Sequence, residues 1–145
     1  MKLNTTSETI SFALSLEEKS SEFYKALSLK YPAKAEVFQS FIRENQKYIT
    51  QIQRAYYGVI SDALEGGFAF NLEKDDYIIR GVMVDDLKPI DSLNEAIDME
   101  EIILRFYKVA ADQSKSLMAD VPRAFSLVAK KREKRVEILK ALVLF

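Results

Sequence analysis

Histidine and cysteine are both missing from this 145-residue chain, and the two absences remove much of the usual site chemistry. Without cysteine there is no disulfide, no thiolate nucleophile and no sulfur-ligated metal or cluster. Without histidine there is no imidazole general base, no Ser-His or Cys-His dyad, and no nitrogen ligand of the usual kind for zinc or iron. Any metal would rest on oxygen ligands, which favours hard cations. A charge surplus is missing too. The 21 Lys and Arg stand against 22 Asp and Glu, which gives neither a basic excess for nucleic acid nor an acidic tail. No segment approaches the roughly 20 apolar residues needed to span a bilayer. The N-terminus reaches Glu17 and Glu18 before any long apolar run, unlike a signal peptide. The expectation is a soluble, cytoplasmic protein that engages neither membrane nor nucleic acid.

What the chain does have is apolar periodicity. Nearly half its residues are apolar, enough for one domain with a real core. Four stripes recur at alternating steps of three and four, the spacing of a helix face that packs against neighbours. They are Ile10, Ala13, Glu17, Ser20, Tyr24, Leu27; Phe38, Phe41, Asn45, Tyr48, Ile52, Ala55; Leu93, Ala96, Glu100, Ile103, Tyr107, Ala110; and Phe125, Val128, Arg132, Arg135, Leu139, Leu142. Each stripe is broken near its middle by polar residues. In a bundle the four interruptions fall at one level, and burying an unpaired charge there costs several kcal/mol, so they need partners.

Boundary signals place the helices at about 5–30, 32–65, 92–115 and 121–144. Thr5 and Glu8 are spaced as a capping box, and Pro32 suits the first turn of helix 2. Gly66-Gly67 stops helix 2. Ser92 and Glu95 repeat the capping-box pattern for helix 3, and Asp120 with Pro122 opens helix 4. Between helices 2 and 3, residues 66–91 read as a crossover strap along the bundle with a short extended piece. This stretch contains the β-prone Tyr77-Ile78-Ile79 and Val82-Met83-Val84. A connection of this length needs structural work to do. Two short turns and one long crossover define an all-α, four-helix bundle of two antiparallel hairpins, the ferritin-like topology.

An internal repeat supports the arrangement. Helix 1 has Glu17 followed seven residues on by Tyr24, within Glu22-Phe23-Tyr24-Lys25, and helix 3 has Glu100 followed by Tyr107, within Arg105-Phe106-Tyr107-Lys108. Helices 2 and 4 both open with a phenylalanine on the stripe, Phe38 and Phe125.

Over nearly its whole length the chain resembles the rubrerythrin-like branch of the ferritin-like superfamily. That resemblance implies two irons in the bundle, held by one glutamate from each of helices 1 and 3 and a Glu-x-x-His from each of helices 2 and 4. Glu17 and Glu100 match the single glutamates. Phe125-Ser126-Leu127-Val128-Ala129 aligns with the Phe-x-x-Leu-Ala preceding the helix 4 motif, putting Arg132 at the glutamate position and Arg135 at the histidine position. In helix 2 the same register puts Asn45 and Tyr48 there. Four of the six usual ligands are thus replaced, and the cysteines of a rubredoxin-type domain are absent. A one-residue shift would bring in Glu44 and Glu133, but it turns a side chain by about 100° and takes Phe38, Phe41, Val128 and Leu139 off the stripe.

The six matched positions therefore read as a vestigial metal site with no cofactor, in which two guanidinium groups balance two carboxylates. Arg132 is expected to project between helices 1 and 3 and to bond Glu100, Glu17 or both, with Arg135 completing the balance around Glu100. Asn45 and Tyr48 should fill the helix 2 side and satisfy remaining lone pairs. Tyr24 and Tyr107 read as core residues that bond a neighbour through the hydroxyl. Lys130-Lys131-Arg132-Glu133-Lys134-Arg135 resembles a nucleic-acid patch, but its off-stripe members read as a solvated face. Tyr56-Tyr57 and Leu142-Val143-Leu144-Phe145 are either core or a homodimer contact. The functional expectation is a structural or binding module. The alternatives are a di-iron or manganese oxidoreductase with an unusual ligand set, and a small-ligand binder using the polar centre.

Overall fold

The computed structural model describes residues 2–60, 69–79, 87–115 and 120–144. Helix α1 (Thr6–Lys30) begins at the Thr5 capping box, with Thr5 Oγ1 accepting the Glu8 N–H at 3.1 Å and Glu8 Oε1 accepting the Thr5 N–H at 3.1 Å. Pro32 opens a separate 3-10 turn, Pro32–Lys34, before α2 (Ala35–Ile60). The expected stop at Glu65-Gly66-Gly67 lies outside the described residues. Helix α3 (Pro89–Gln113) starts a turn earlier than the Ser92–Glu95 pattern implies. Pro89 takes the first helical position, where its fixed φ and missing N–H cost nothing. Ser92 is left inside the helix, its N–H bonded to Lys88 O at 2.9 Å and its hydroxyl 3.4 Å from Tyr31 Oη. Helix α4 (Asp120–Leu144) opens with an acid against the positive helix end, as its sequence signals.

These four helices form an all-α bundle. The pairs α1–α2 and α3–α4 pack as hairpins, and the hairpins meet through α1 against α3 and α2 against α4. At one end the α1–α2 turn lies beside the start of α3, where Lys30 Nζ and Tyr31 Oη donate to Leu87 O at 2.7 and 3.2 Å. At the other end β1 (Lys2–Leu3) pairs antiparallel with β2 (Leu72–Glu73), Phe70 N–H bonds Asn4 O at 3.0 Å, and the Gln113 side chain bonds the backbone of Asn71. Hence α1 and α4 run one way, and α2 and α3 the other.

The described part of the crossover packs on α3 at Asp76 and Tyr77. Tyr77 packs edge-on against Phe106 with ring centroids 5.4 Å apart, and Arg105 Nη2 donates to Asp76 O at 2.7 Å. Among the described residues the extended piece is Leu72–Glu73 rather than Tyr77-Ile78-Ile79, since Tyr77 closes a 3-10 turn, Lys74–Tyr77. What decides this is a partner: the N-terminal strand reaches Leu72, whereas Ile78 faces solvent. Val82-Met83-Val84 lies outside the described residues.

Every residue of the first three stripes is buried, and so is every residue of the fourth except the half-buried Leu142. Leu16, Met99, Phe106, Ala129 and Val136, each one step off its stripe, are buried as well. The buried face is therefore wider than a two-in-seven seam, because each helix meets two neighbours. Among the described residues no helix is long and apolar enough to cross a membrane.

Candidate functional site

The polar interruptions meet in one layer across the bundle. Glu17, Ser20 and Tyr24 come from α1, Asn45 from α2, Glu100 and Tyr107 from α3, and Arg132 and Arg135 from α4, all buried. The helical steps of three and four put these side chains on each core face. Similar distances from the turn, as for Glu17 and Asn45 on either side of the α1–α2 turn, put them at matching depth.

Arg132 sits between the two acids. Its Nη1 donates to both oxygens of Glu100 at 2.7 Å, while Nη2 donates to Glu17 Oε1 and, at 3.2 Å, to Asn45 Oδ1. Arg135 Nη1 donates to Asn45 Oδ1 at 2.9 Å and Glu100 Oε1 at 3.1 Å, and its Nη2 donates to Phe41 O at 3.2 Å. Two cations and two anions leave the layer neutral. Asn45 shares its oxygen between the arginines and donates Nδ2 to Ser20 Oγ and Ser21 Oγ at 3.0 and 3.1 Å. Among buried side-chain atoms only Arg132 Nε and Arg135 Nε lack an acceptor in the described structure.

The tyrosines close the layer crosswise. Tyr24 of the first hairpin donates to Glu100 of the second at 2.6 Å, and Tyr107 of the second donates to Glu17 of the first at 2.6 Å. The seven-residue repeat is thus an exchange between halves, a local two-fold relation in which each glutamate is met by the other's tyrosine.

Burial pushes the Glu100 carboxyl up, but Arg132 and Arg135 beside it, with hydrogen bonds from Arg132 and Tyr24, more than offset this and hold it below the ordinary carboxylate value. Burial opposes charge on Arg132 as well, and Glu100 and Glu17 overcome it, holding the guanidinium charged well beyond its usual range. Burial, then the neighbouring carboxylates, push the phenols of Tyr24 and Tyr107 well up, so both remain neutral donors.

Tyr48 departs from its expected role. Its hydroxyl donates to Glu44 Oε2 at 3.4 Å, away from the cluster's lone pairs, and its ring covers both guanidiniums at 5.5 Å from each. Asn45 and the arginines already occupy the space a phenol would need. Burial lifts this phenol to about 12. Sequence reasoning named Ser20 only as a stripe residue and did not assign it to the layer, although a serine three residues after a buried glutamate was signal enough. It also missed Ser21 and the Phe41 carbonyl, for which no pattern speaks. Glu44 lies 3.8 Å from Arg135 Nη2 and is 40% exposed, so it borders the layer from outside. Glu133 is exposed and paired with Lys108 at 2.8 Å, so the shifted register gains no second acid.

The two irons implied by the resemblance do not fit these residues. Both buried carboxylates are engaged by a guanidinium, and a dication placed between them would meet two more positive charges. Among the described residues no group of three or more Asp, Glu, His or Cys is gathered as a metal site would require. The layer's hydrogen bonds connect all four helices, through Glu17 and Ser20 of α1, Asn45 of α2, Glu100 of α3 and the two arginines of α4. Compared with protein-family models, curated proteins and solved structures, the chain matches none.

Proposed function

We propose that this chain is a degenerate rubrerythrin-like domain of ferritin-like topology, acting as a structural or binding module. In this reading the Glu17–Glu100–Arg132–Arg135 cluster stands where the family carries its metals. The observation that carries it is the Arg132 guanidinium bonded to a carboxylate of each hairpin. A cationic bridge between two glutamates does the electrostatic work of a dication without its chemistry. The hairpin pairing and the long return connection fit the same reading.

Metal analysis of protein grown with excess iron and manganese tests it. Far less than one metal per chain is expected, and near-stoichiometric metal would instead favour the oxidoreductase. The restoring set Asn45→Glu, Tyr48→His, Arg132→Glu and Arg135→His should bind close to two Fe²⁺ or Mn²⁺. That variant buries four carboxylates, so folding that appears only with metal, read by circular dichroism, also supports the proposal. The absence of both metal binding and metal-dependent folding would refute the ferritin-like ancestry.

We further propose a homodimer. Tyr57 and Leu144 are strongly exposed, but α2 and α4 run oppositely, so the two lie toward opposite ends, roughly 30 Å apart along the helices. Two copies packed antiparallel would cover both with one repeated contact.

A further inference from the structure

A cavity of about 360 Å³ opens at the bundle end where the α1–α2 turn meets the start of α3. It is separate from the glutamate–arginine layer, lying beyond Tyr24 and Phe41. Its wall is apolar, built from Leu27, Phe38 and Leu93 below and from Pro32, Ala33 and Pro89 at the rim. Each rim has a proline with its φ fixed, and Lys30 and Tyr31 tie the two rims together by donating to Leu87 O. Pockets of this size and character, with a few polar groups on one side, suit a small molecule.

The charged residues of its lining have one sign. Lys30, Tyr31, Lys34 and Ser92 line the cavity mostly through carbon atoms, and no acidic side chain lines it among the described residues. Tyr31 and Ser92 bond each other and Tyr31 also bonds Leu87 O. Lys34 is half-buried, and no bond from its ammonium to a described residue is found. The adjoining end of α3 has Lys88 at its N-cap with no side-chain cap, and Asp91 in its first turn lies outside the cavity lining.

We propose that this cavity binds a small free amphiphile with a single carboxylate, its apolar tail between Leu27, Phe38 and Leu93 and its head against Lys34. An amine of the same tail would meet a cationic rim, and an alcohol would leave Lys34 unpaired, so the preference is for the acid.

Octanoate, octanol and octylamine titrated into the full chain, followed by amide shifts in two-dimensional NMR, test this. Saturable octanoate shifts centred on Leu27, Lys34 and Leu93 are expected, with octylamine bound at least about ten-fold more weakly, the worth of one partly desolvated charge contact. Lys34→Glu should weaken octanoate by a similar factor and favour octylamine. That side chain is half-buried at the end of the 3-10 turn, so circular dichroism of the variant checks that the fold is kept. Equal binding of all three ligands, unchanged octanoate affinity in Lys34→Glu, or shifts centred elsewhere would overturn the proposal. Sedimentation with anionic vesicles in the absence of any octanoate shift would also overturn it, in favour of a lipid surface.

Discussion

Arg132→Leu is the substitution that tests the layer most sharply, because its cost can be worked from the contacts and depends on pH in a defined direction. The arginine is wholly buried and donates to both oxygens of Glu100, to Glu17 and to Asn45. Without it the layer carries two carboxylates against Arg135 alone. Breaking a buried pair from one side costs about 3–5 kcal/mol. A second route gives the same scale: the variant can escape the stranded charge by taking up a proton. Protonating a carboxyl whose ordinary value is near 4.3 costs about 3.5 kcal/mol at pH 7 and about 1 kcal/mol at pH 5. The variant's deficit should therefore be large at pH 7 and smaller by roughly 2–3 kcal/mol at pH 5.

The signs oppose one another. In the wild type Glu100 is held below its unfolded value, so its contribution is present above that value and is lost as pH falls through the folded one. In the variant one carboxyl is raised, so its contribution is present at low pH and is lost as pH rises. Urea unfolding followed by circular dichroism at both pH values measures the difference. A variant within about 1 kcal/mol of wild type at pH 7, or one with the same deficit at both pH values, would refute the charge-stranding argument. Replacing Glu17, Glu100, Arg132 and Arg135 together with apolar residues of similar volume removes both signs at once. It should cost much less than Arg132→Leu, since paired burial is not itself stabilising.

The crosswise tyrosines and the apolar ends carry the remaining expectations. Tyr24→Phe and Tyr107→Phe each remove a 2.6 Å bond to a buried carboxylate and should each cost about 1.5–3 kcal/mol in urea unfolding; a loss below about 0.5 kcal/mol would deny the exchange its role. Both phenols are raised on folding, so their contribution is complete below about pH 10 and is lost as pH rises further. The wild type should destabilise more steeply in that range than the double variant, and parallel curves would contradict it. Light scattering should give a dimer mass at micromolar concentration, with Tyr57→Lys shifting the chain to monomer; a monomer mass throughout would remove the homodimer.

Which residues are buried was legible from the order of residues alone, because a period of three and four maps directly onto one face of a helix. The polar layer was legible for the same reason: charges on that face must meet one another, and only two acids and two arginines were present to do so. The capping box at Thr5 is local and needed nothing further. Tertiary structure decided whatever depends on how helices are rotated and spaced. Tyr24 reaches Glu100 and Tyr107 reaches Glu17 across the hairpins, contacts between residues 76 and 90 positions apart that no local pattern encodes. Tyr48 turned to Glu44 because Asn45 and the arginines had filled the centre. Leu72 rather than the β-prone Ile78 became the paired strand residue because Leu3 lay beside it, an edge that exists only once α1 and the crossover are in place. Periodicity specifies a face. Which partner that face meets, and through which atoms, follows from packing.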